Sequence, residues 1–265
     1  MQQYLNALNH VLENGKTKKT RGIHDIKSTF GYQMRFDLRR GFPIITTKKM
    51  PFKIMANELL WFISGNTNIK ALQEKKIHYW DDFADEKGEL GPVYGYQWRK
   101  WPDYKGGHID QLKNVIEEIK TQPDSKAMLV SAWNPAQLSE MRLPPCHTFF
   151  QFNVTKKKLR MQLYQRSADA FLGLPFNISQ YSLLLMMVAQ VTGLEAREFV
   201  HTIGDLHLYK NHIKQAKEQI KRKPKRLPLL KINPKIKDID QYTIDDFRLV
   251  NYEAHPHIKA ELVVI

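Results

Sequence analysis

The stretch from Asn177 to Val191 constrains the fold more than any other part of the sequence, because as a helix it is apolar on nearly every side. Such a helix cannot lie at a protein surface and has to be surrounded by other elements. Gly193 is a natural terminator for it. Its longest nearly apolar run, Leu183 to Val191, is far shorter than the roughly 20 residues that a membrane span needs. The sequence therefore predicts a central, buried helix and no association with a membrane.

Shorter patterns predict the elements that surround this helix. Helical spacing of apolar residues predicts helices over residues 2–14, from Pro51 onward, over 109–119 and over 210–220. Alternating apolar residues predict a strand from Phe30 to Leu38. The remaining predicted strands lie at 127–132, 148–154, 158–166 and 196–203, and residues 15–27 are expected to form a loop. Neither a repeat nor a flexible linker interrupts the chain, so we expect a single α+β domain over residues 1–265.

The charge balance is strongly basic, with 41 Lys and Arg against 27 Asp and Glu and a formal net charge of +14. An anionic partner is one explanation, and a solvated, lysine-rich surface is the other. The densest basic run, Lys221 to Arg226, lacks interleaved aromatic residues on which bases could stack, so binding of nucleic acid is the less favoured hypothesis. The single cysteine excludes an internal disulfide and a Cys-rich zinc site. The first residues lack a secretion pattern, which predicts a cytoplasmic protein.

Cys146 follows two prolines at the start of a predicted strand. It is either a small buried hydrophobe or a nucleophile. Four polar residues share one face of the next predicted strand: Arg160, Gln162, Tyr164 and Arg166. An arginine that faces the thiol would favour the thiolate, which is the form that attacks. His147 is not a convincing base, because neighbouring strand residues point to opposite faces.

Glu58 places a carboxylate on the apolar stripe of the helix that begins near Pro51. It lies between Ile54 and Phe62 at i, i+4 spacing. Desolvation at such a position should raise its pKa toward neutrality. Two interpretations remain open, a buried carboxylate paired with a structural arginine and a general acid or base.

Two further segments are typical of recognition loops. Residues 165–169 contain donors suited to an oxyanion, and the Asn177 amide can either read the imide edge of a base or cap the helix. Asp205, His207 and Tyr209 share one face of an extended segment, where His207 and Tyr209 can bind a sugar hydroxyl. Neither a His-Glu-x-x-His metal motif nor a Gly-rich phosphate loop occurs.

Five stretches, in order along the chain, closely resemble thymidylate synthases of the folate-dependent, bacterial-length type. They are residues 58–62, 90–95, 144–147, 162–167 and 173–177. The resemblance extends from about residue 1 to 265. It implies a thymidylate synthase-like fold, in which a large mixed sheet packs against the buried central helix and the protein dimerises through that sheet.

The resemblance implies reductive methylation of dUMP to dTMP, with 5,10-methylenetetrahydrofolate as co-substrate and without a metal. Cys146 would add to C6 of the uracil ring, and Asn177 would read the N3–O4 edge. Glu58 would manage protons through ordered water, and Tyr94 would assist removal of the C5 proton. The catalytic residues that the resemblance implies are Cys146, Glu58, Tyr94, Arg166, Asn177 and Asp169.

The resemblance also implies the binding residues. Those for dUMP are Arg21, Lys126, Gln165, Arg166, Ser167, Asp169, Asn177, His207 and Tyr209. Those for the folate are Lys48, Trp80, Asp169, Phe176 and Ile265. Within these sets, Arg21, Arg166 and Ser167 would hold the phosphate of dUMP. Lys126 would reach the phosphate from the second subunit of a homodimer, and Lys48 is a candidate for a polyglutamate tail.

The chain departs from the family pattern around the phosphate. Arg21 is followed by Gly-Ile-His-Asp where the family usually has Thr-Gly-Thr-Gly, and the turn at 123–125 is followed by Lys126 and Ala127 instead of two arginines. The alternatives are therefore a related pyrimidine-nucleotide C5 hydroxymethylase or a synthase with altered phosphate or sugar specificity. An RNA-binding protein that reuses this fold would instead show a steep salt dependence of binding.

Overall fold

A computed structural model describes residues 1–20 and 22–263 of the chain as a mixture of helices and strands. The strands are β1 (Lys16–Lys18), β2 (Ile26–Asp37), β3 (Trp101–Pro102), β4 (His108–Ile109), β5 (Leu129–Ser131), β6 (His147–Thr155), β7 (Lys158–Asp169), β8 (Glu195–Tyr209), β9 (Leu229–Ile232) and β10 (Phe247–Val250). The helices are α1 (Gln2–Asn14), α2 (Phe52–Ile63), α3 (Lys70–Gln73), α4 (Gly95–Lys100), α5 (Gln111–Thr121), α6 (Gly173–Val191) and α7 (Ile213–Ile220).

A six-stranded mixed sheet forms the framework, in the order β1-β2-β8-β7-β6-β5. Strands β7 and β8 run parallel, and the other neighbouring pairs of this sheet are antiparallel. The parallel pair is joined through α6, because parallel neighbours need a crossover rather than a hairpin. The pairs β3–β4 and β9–β10 form two separate antiparallel ribbons. The predicted mixed sheet, packed against helices, is confirmed.

The sheet has one buried and one exposed face, as the alternation within β7 requires. Leu159, Met161 and Leu163 are buried, whereas Gln162 between them is exposed. The exposed face also carries aromatic side chains. Phe30 is 85% exposed, and the Phe149 ring stacks on the Tyr164 ring at a centroid distance of 5.5 Å.

Helix α6 is the buried central helix that the sequence predicts, and its side chains are buried around the whole helix. Its start differs from the prediction, because the helix begins at Gly173 rather than at Asn177. Pro175 lies in the first turn, where its missing N–H leaves no hydrogen bond unmade. Asn177 therefore lies inside the helix, and its interpretation as a cap is wrong.

Other boundaries move by a few residues, and one segment changes type. Residues 15–27 are not all loop, because β1 and the first residues of β2 lie there. The chain from 210 to 212 forms a 3₁₀ turn before α7. Among the residues that the structure describes, none of the helices is both long and apolar enough to span a membrane.

Helices α2 and α4 approach each other closely at Gly95. A Cβ atom on Gly95 would lie 2.0 Å from the carbonyl oxygen of Phe62, a distance that real side chains do not tolerate. The preceding residue, Tyr94, has a φ of 39°, in the left-handed region that non-glycine residues seldom adopt. This contact fixes where Tyr94 points relative to α2, the helix that contains Glu58.

Candidate active site

Cys146 lies directly before β6 in a loop that is held from two sides. Its backbone N–H donates to the Tyr94 hydroxyl at 3.0 Å, and its carbonyl accepts from the Arg166 N–H at 2.9 Å. The Arg166 guanidinium donates to the carbonyl oxygens of Pro145 (Nε, 3.0 Å) and Pro144 (Nη2, 2.6 Å). These hydrogen bonds hold the two prolines and the backbone of Cys146 against β7, and the charge of Arg166 acts on the thiol.

Burial raises the pKa of the Cys146 thiol above its ordinary value. The positive charge of Arg166 and the hydrogen bond with Tyr94 both lower that pKa. Burial is the largest of these effects. The sequence correctly predicted the direction in which Arg166 acts, but the net pKa remains raised.

His147 is a buried, neutral imidazole. Burial lowers its pKa to about 4, so it is a weak base near neutral pH. Its ring lies 5.2 Å from the ring centroids of both Tyr94 and Tyr181. The β-bulge between His147 and Phe149 interrupts the simple alternation of this strand. The lowered pKa argues against His147 as the base, whereas the argument from alternating strand residues does not hold at this bulge.

Glu58 is buried, with 6% of its surface exposed. Its Oε1 accepts a hydrogen bond from the Trp80 indole N–H at 2.6 Å, and its Oε2 accepts from Gln180 Nε2. Burial raises the pKa of Glu58, as the sequence predicted, and these hydrogen bonds oppose the increase. Both partners are neutral N–H donors. Within the described part of the chain, Glu58 is therefore held by neutral groups and not by a structural arginine.

Asn177 belongs to a chain of buried polar side chains. Its Oδ1 accepts from Gln165 Nε2 at 3.0 Å, and Gln165 Oε1 lies 2.8 Å from His201 Nε2. Burial lowers the pKa of His201 to about 3, so its imidazole is neutral and donates this bond. An amide oxygen has two lone pairs, and Asn177 Oδ1 can therefore accept a second hydrogen bond from a ligand N–H.

His207 and Tyr209 lie side by side on β8, with ring centroids 5.4 Å apart. His207 Nδ1 lies 3.2 Å from Asp205 Oδ1 and 3.5 Å from the Ser167 hydroxyl. Burial alone would raise the pKa of Asp205, but hydrogen bonds from His207 and Lys18 hold it at about 2. The structure therefore brings together the residues that the sequence assigned to the sugar and to part of the phosphate site.

Asp169 lies at the end of β7, where its carboxylate accepts from the backbone N–H groups of Phe171 (2.9 Å) and Leu172 (3.2 Å). Lys48 is only 2% exposed and donates its Nζ to the Phe171 carbonyl at 2.5 Å. Burial lowers the pKa of Lys48 to about 7, although the Asp169 charge opposes this effect. The role of Lys48 toward a polyglutamate tail stays a prediction, since its ammonium points inward in this structure.

Aromatic rings enclose the site next to Glu58. The Trp80 ring meets Phe83 edge-on at 6.0 Å and Tyr94 at 5.9 Å. The Phe176 ring meets Tyr79 edge-on at 6.0 Å. Flat apolar surfaces of this kind suit a planar heterocycle, and Trp80 and Phe176 are the two aromatic residues that the sequence assigned to the folate.

One of the proposed binding residues does not join this cluster, and two others are not described by the structure. Lys126 is exposed and lines a groove on the exposed sheet face together with Arg35, Arg160 and Glu198. Arg21 and Ile265 lie outside the residues that the structure describes. Within residues 1–20 and 22–263, no three His, Cys, Asp or Glu side chains are grouped so as to hold a metal ion.

Sequence reasoning missed the amide partner of Glu58. Gln180 is a polar residue inside an otherwise apolar helix, and it follows Asn177 by three positions. Residues three apart on a helix lie on the same face, so Gln180 and Asn177 could have been assigned to one site. The contact between Gln180 and Glu58 could not have been predicted, because the two residues are distant in the sequence.

A comparison with models of known protein families adds a finding to this geometry. The model described as thymidylate synthase matches residues 2–264 of the chain. The matched residues include helix α2 with Glu58, the loop at Cys146, strand β7 and helix α6.

Proposed function

Because the chain belongs to the thymidylate synthase family and is therefore a methyltransferase, we propose that it converts dUMP to dTMP with 5,10-methylenetetrahydrofolate as the one-carbon donor. One observation supports the proposal above all others. The Cys146 loop is fastened to both Arg166 and Tyr94, and the Tyr94 ring packs on Trp80, whose indole holds Glu58. A nucleophile and a proton-transfer group are thus connected through two side chains.

In the proposed reaction, the Cys146 thiolate forms a bond to C6 of uracil, and the C5=C6 electron pair moves toward O4. Arg166 favours the thiolate by its positive charge. Asn177 holds the N3–O4 edge, where negative charge develops. The Tyr94 hydroxyl, through water, helps to remove the proton from C5. Glu58 gives and takes protons at O4 and at the folate through ordered water.

The co-substrate supplies a methylene unit and then a hydride. The residues available for it fit a folate, because Trp80 and Phe176 present flat apolar surfaces and Asp169 offers a carboxylate just before helix α6. The Lys48 Nζ lies 3.7 Å from the centroid of the Phe171 ring, beside the segment that Asp169 orders. We assign Trp80, Asp169, Phe176 and Lys48 to this half of the site.

Tritium release tests the reaction directly. dUMP that carries tritium at C5 is incubated with 5,10-methylenetetrahydrofolate, and dihydrofolate absorbance is read in the same sample. We expect equal amounts of released tritium and dihydrofolate. Tritium release without dihydrofolate would instead indicate the C5 hydroxymethylase, since water rather than hydride then completes the product. Absence of both signals would overturn the proposal.

A second candidate function is the same chemistry on a substrate with an altered phosphate or sugar. The observation that favours it concerns two lysines, one within residues 18–25 and one bound to that segment, which are already paired. Lys210 Nζ lies 3.0 Å from Asp25 Oδ2, and Lys18 Nζ lies 3.1 Å from Asp205 Oδ2. Neither lysine is therefore a free substitute for the missing arginine at Ala127. The tritium assay repeated with deoxyuridine in place of dUMP distinguishes the two candidates.

We also propose that the protein is a homodimer that associates through the exposed sheet face. The aromatic side chains of Phe30, Phe149 and Tyr164 on this face support the proposal, because a monomer seldom exposes such a surface. In this arrangement Lys126 serves the phosphate site of the second subunit. Its position in a groove of that same face is consistent with this role.

A further inference from the structure

Gln180 holds the second carboxylate oxygen of Glu58. Its Nε2 donates to Glu58 Oε2 and lies 3.2 Å from the Met55 carbonyl oxygen. Gln180 is only 1% exposed, and Met55 and Glu58 are buried as well. An amide nitrogen carries two hydrogens, so one is available for each of these two acceptors.

The Met55 carbonyl fixes the orientation of the Gln180 amide. A half-turn of the amide would place its oxygen against the Met55 carbonyl, so that two acceptors would face each other. In the observed orientation Gln180 Oε1 is buried and has no hydrogen-bond partner among the described residues. Leaving a buried oxygen without a partner is unfavourable. The two hydrogen bonds that Nε2 donates must therefore stabilise this orientation by more than the unpaired Oε1 destabilises it. Gln180 thus faces Glu58 as a donor.

Among the residues that the structure describes, the other groups around Glu58 are neutral. Three phenols face it from separate parts of the chain: Tyr79, Tyr94 and Tyr181. Burial raises the pKa of each phenol well above its usual range, so all three remain protonated near neutral pH. The charged Arg166 donates to the Pro145 carbonyl next to Cys146, and it is not among the groups that shift the pKa of Glu58. The ionised form of Glu58 therefore depends on hydrogen-bond donors more than on a nearby cation.

We propose that Gln180 is a positioning residue for Glu58, which fixes Oε2 in place and favours the ionised carboxylate against desolvation. The Trp80 indole, which can only donate, has the same effect on Oε1. Because Asn177 and Gln180 lie three residues apart on α6, one helix face orients both the uracil-reading amide and the proton-transfer carboxylate. The inference rests on the proposed function of Glu58.

The substitution Gln180→Met removes the donor and keeps a side chain of similar length. Loss of a hydrogen bond to a carboxylate raises its pKa. The limb of the kcat pH profile that belongs to Glu58 should therefore move to higher pH, by about 1 to 2 pH units. The matched control is Gln190→Met on the same helix, because Gln190 donates to the backbone carbonyls of Asn233 (2.8 Å) and Ile236 (3.1 Å) instead. The control should leave the profile unchanged.

An unshifted pH profile in a folded Gln180→Met protein would overturn the inference. If that variant does not fold, Gln180→Asn withdraws the amide by one methylene and should shift the same limb in the same direction. A readout without turnover is infrared titration of the Glu58 carboxyl, identified by its loss in Glu58→Gln. Full activity of Glu58→Gln would contradict the proposed function itself, whereas an unshifted infrared titration in Gln180→Met would contradict only the inference.

Discussion

At the scale of single residues, the reactivity of Cys146 depends on charges and dipoles supplied by its neighbours. Burial raises the pKa of its thiol, while Arg166 and Tyr94 lower it. Arg166 also donates to the two proline carbonyls just before the thiol. One guanidinium thus positions the loop and favours the thiolate, so that the geometry and the electrostatics of the proposed nucleophile are coupled.

We expect Cys146→Ser to abolish turnover, because a hydroxyl lacks the nucleophilicity of a thiolate near neutral pH. The substitution is nearly isosteric and retains the backbone hydrogen bond to Tyr94, so the fold and the binding of dUMP should persist. Initial rates, thermal unfolding and calorimetric titration with dUMP measure the three quantities. Residual activity above a few per cent would argue against a covalent mechanism.

A second prediction at this scale is that Ala127→Arg lowers the KM for dUMP more than it changes kcat. The phosphate keeps its charge throughout the reaction, so contacts to it stabilise substrate and transition state nearly equally. A restored charged hydrogen bond contributes about 1.5–3 kcal/mol, which is roughly a ten- to hundredfold decrease in KM. Deoxyuridine, which has no phosphate, is the control substrate and should be unaffected. A KM that stays the same or increases would favour a substrate without a 5′-phosphate.

At the scale of elements, the sequence predicted the helices and strands whose side-chain pattern distinguishes buried from exposed positions. The apolar run in α6 left no alternative to burial, and the alternation at Leu159, Met161 and Leu163 required a half-buried strand. Strand β1 was missed because all of its residues are exposed and its pairing with β2 uses backbone groups only. An edge strand of that kind leaves no pattern in the side chains.

The candidate site could be predicted only in part, because the sequence shows patterns within one element but not the contacts between elements. The burial of Glu58 followed from helical spacing within one element. Predicting its contact with Gln180 requires knowing how α2 packs against α6, and the spacing of residues within a single helix does not contain that information. The same holds for Lys18 and Asp205, which pair across 187 positions of the chain.

The contact between α2 and α4 gives a prediction at the element scale. We expect Gly95→Ala to destabilise the protein by about 1–3 kcal/mol, because a Cβ there would collide with the Phe62 backbone and push the two helices apart. Tyr94 would move with α4, so kcat should decrease as well. Chemical denaturation and initial rates measure both effects.

The control for this substitution is Gly107→Ala. A Cβ on Gly107 meets only the end of the Asp103 side chain, at 3.9 Å. Its stability and activity should therefore match those of the unaltered protein. Equal behaviour of the two alanine variants would show that the close approach at Gly95 is not needed.

At the scale of the whole molecule, the proposed sharing of the phosphate site would make activity a property of two chains. Lys126→Glu should inactivate the protein by repelling the phosphate, and Cys146→Ser should inactivate it by removing the proposed nucleophile. When the two inactive proteins are mixed and allowed to exchange subunits, each mixed dimer contains one intact site. We expect recovery of about a quarter of the unaltered activity, since half of the dimers are mixed and each has one working site.

The recovery should depend on the exposed sheet face. Phe30→Asp places a charge in the proposed interface, and in either partner it should prevent both association and recovery. Tyr104→Asp is the control, because Tyr104 is equally exposed but lies outside the six-stranded sheet. Sedimentation that shows a fully active monomer would contradict both the dimer and the role of Lys126.

The order of strands in the sheet also affects how the chain is made. Strand β2 lies between β1 and β8, and its partners in β8 lie 161 to 183 positions further along the chain. A ribosome needs on the order of 10 s to synthesise such a length. During that interval β2 cannot form its main pairing, and Phe30, Met34 and Phe36 remain accessible to other nascent chains. The order of strands therefore leaves an unpaired apolar strand exposed for longer during synthesis than sequential hairpins would.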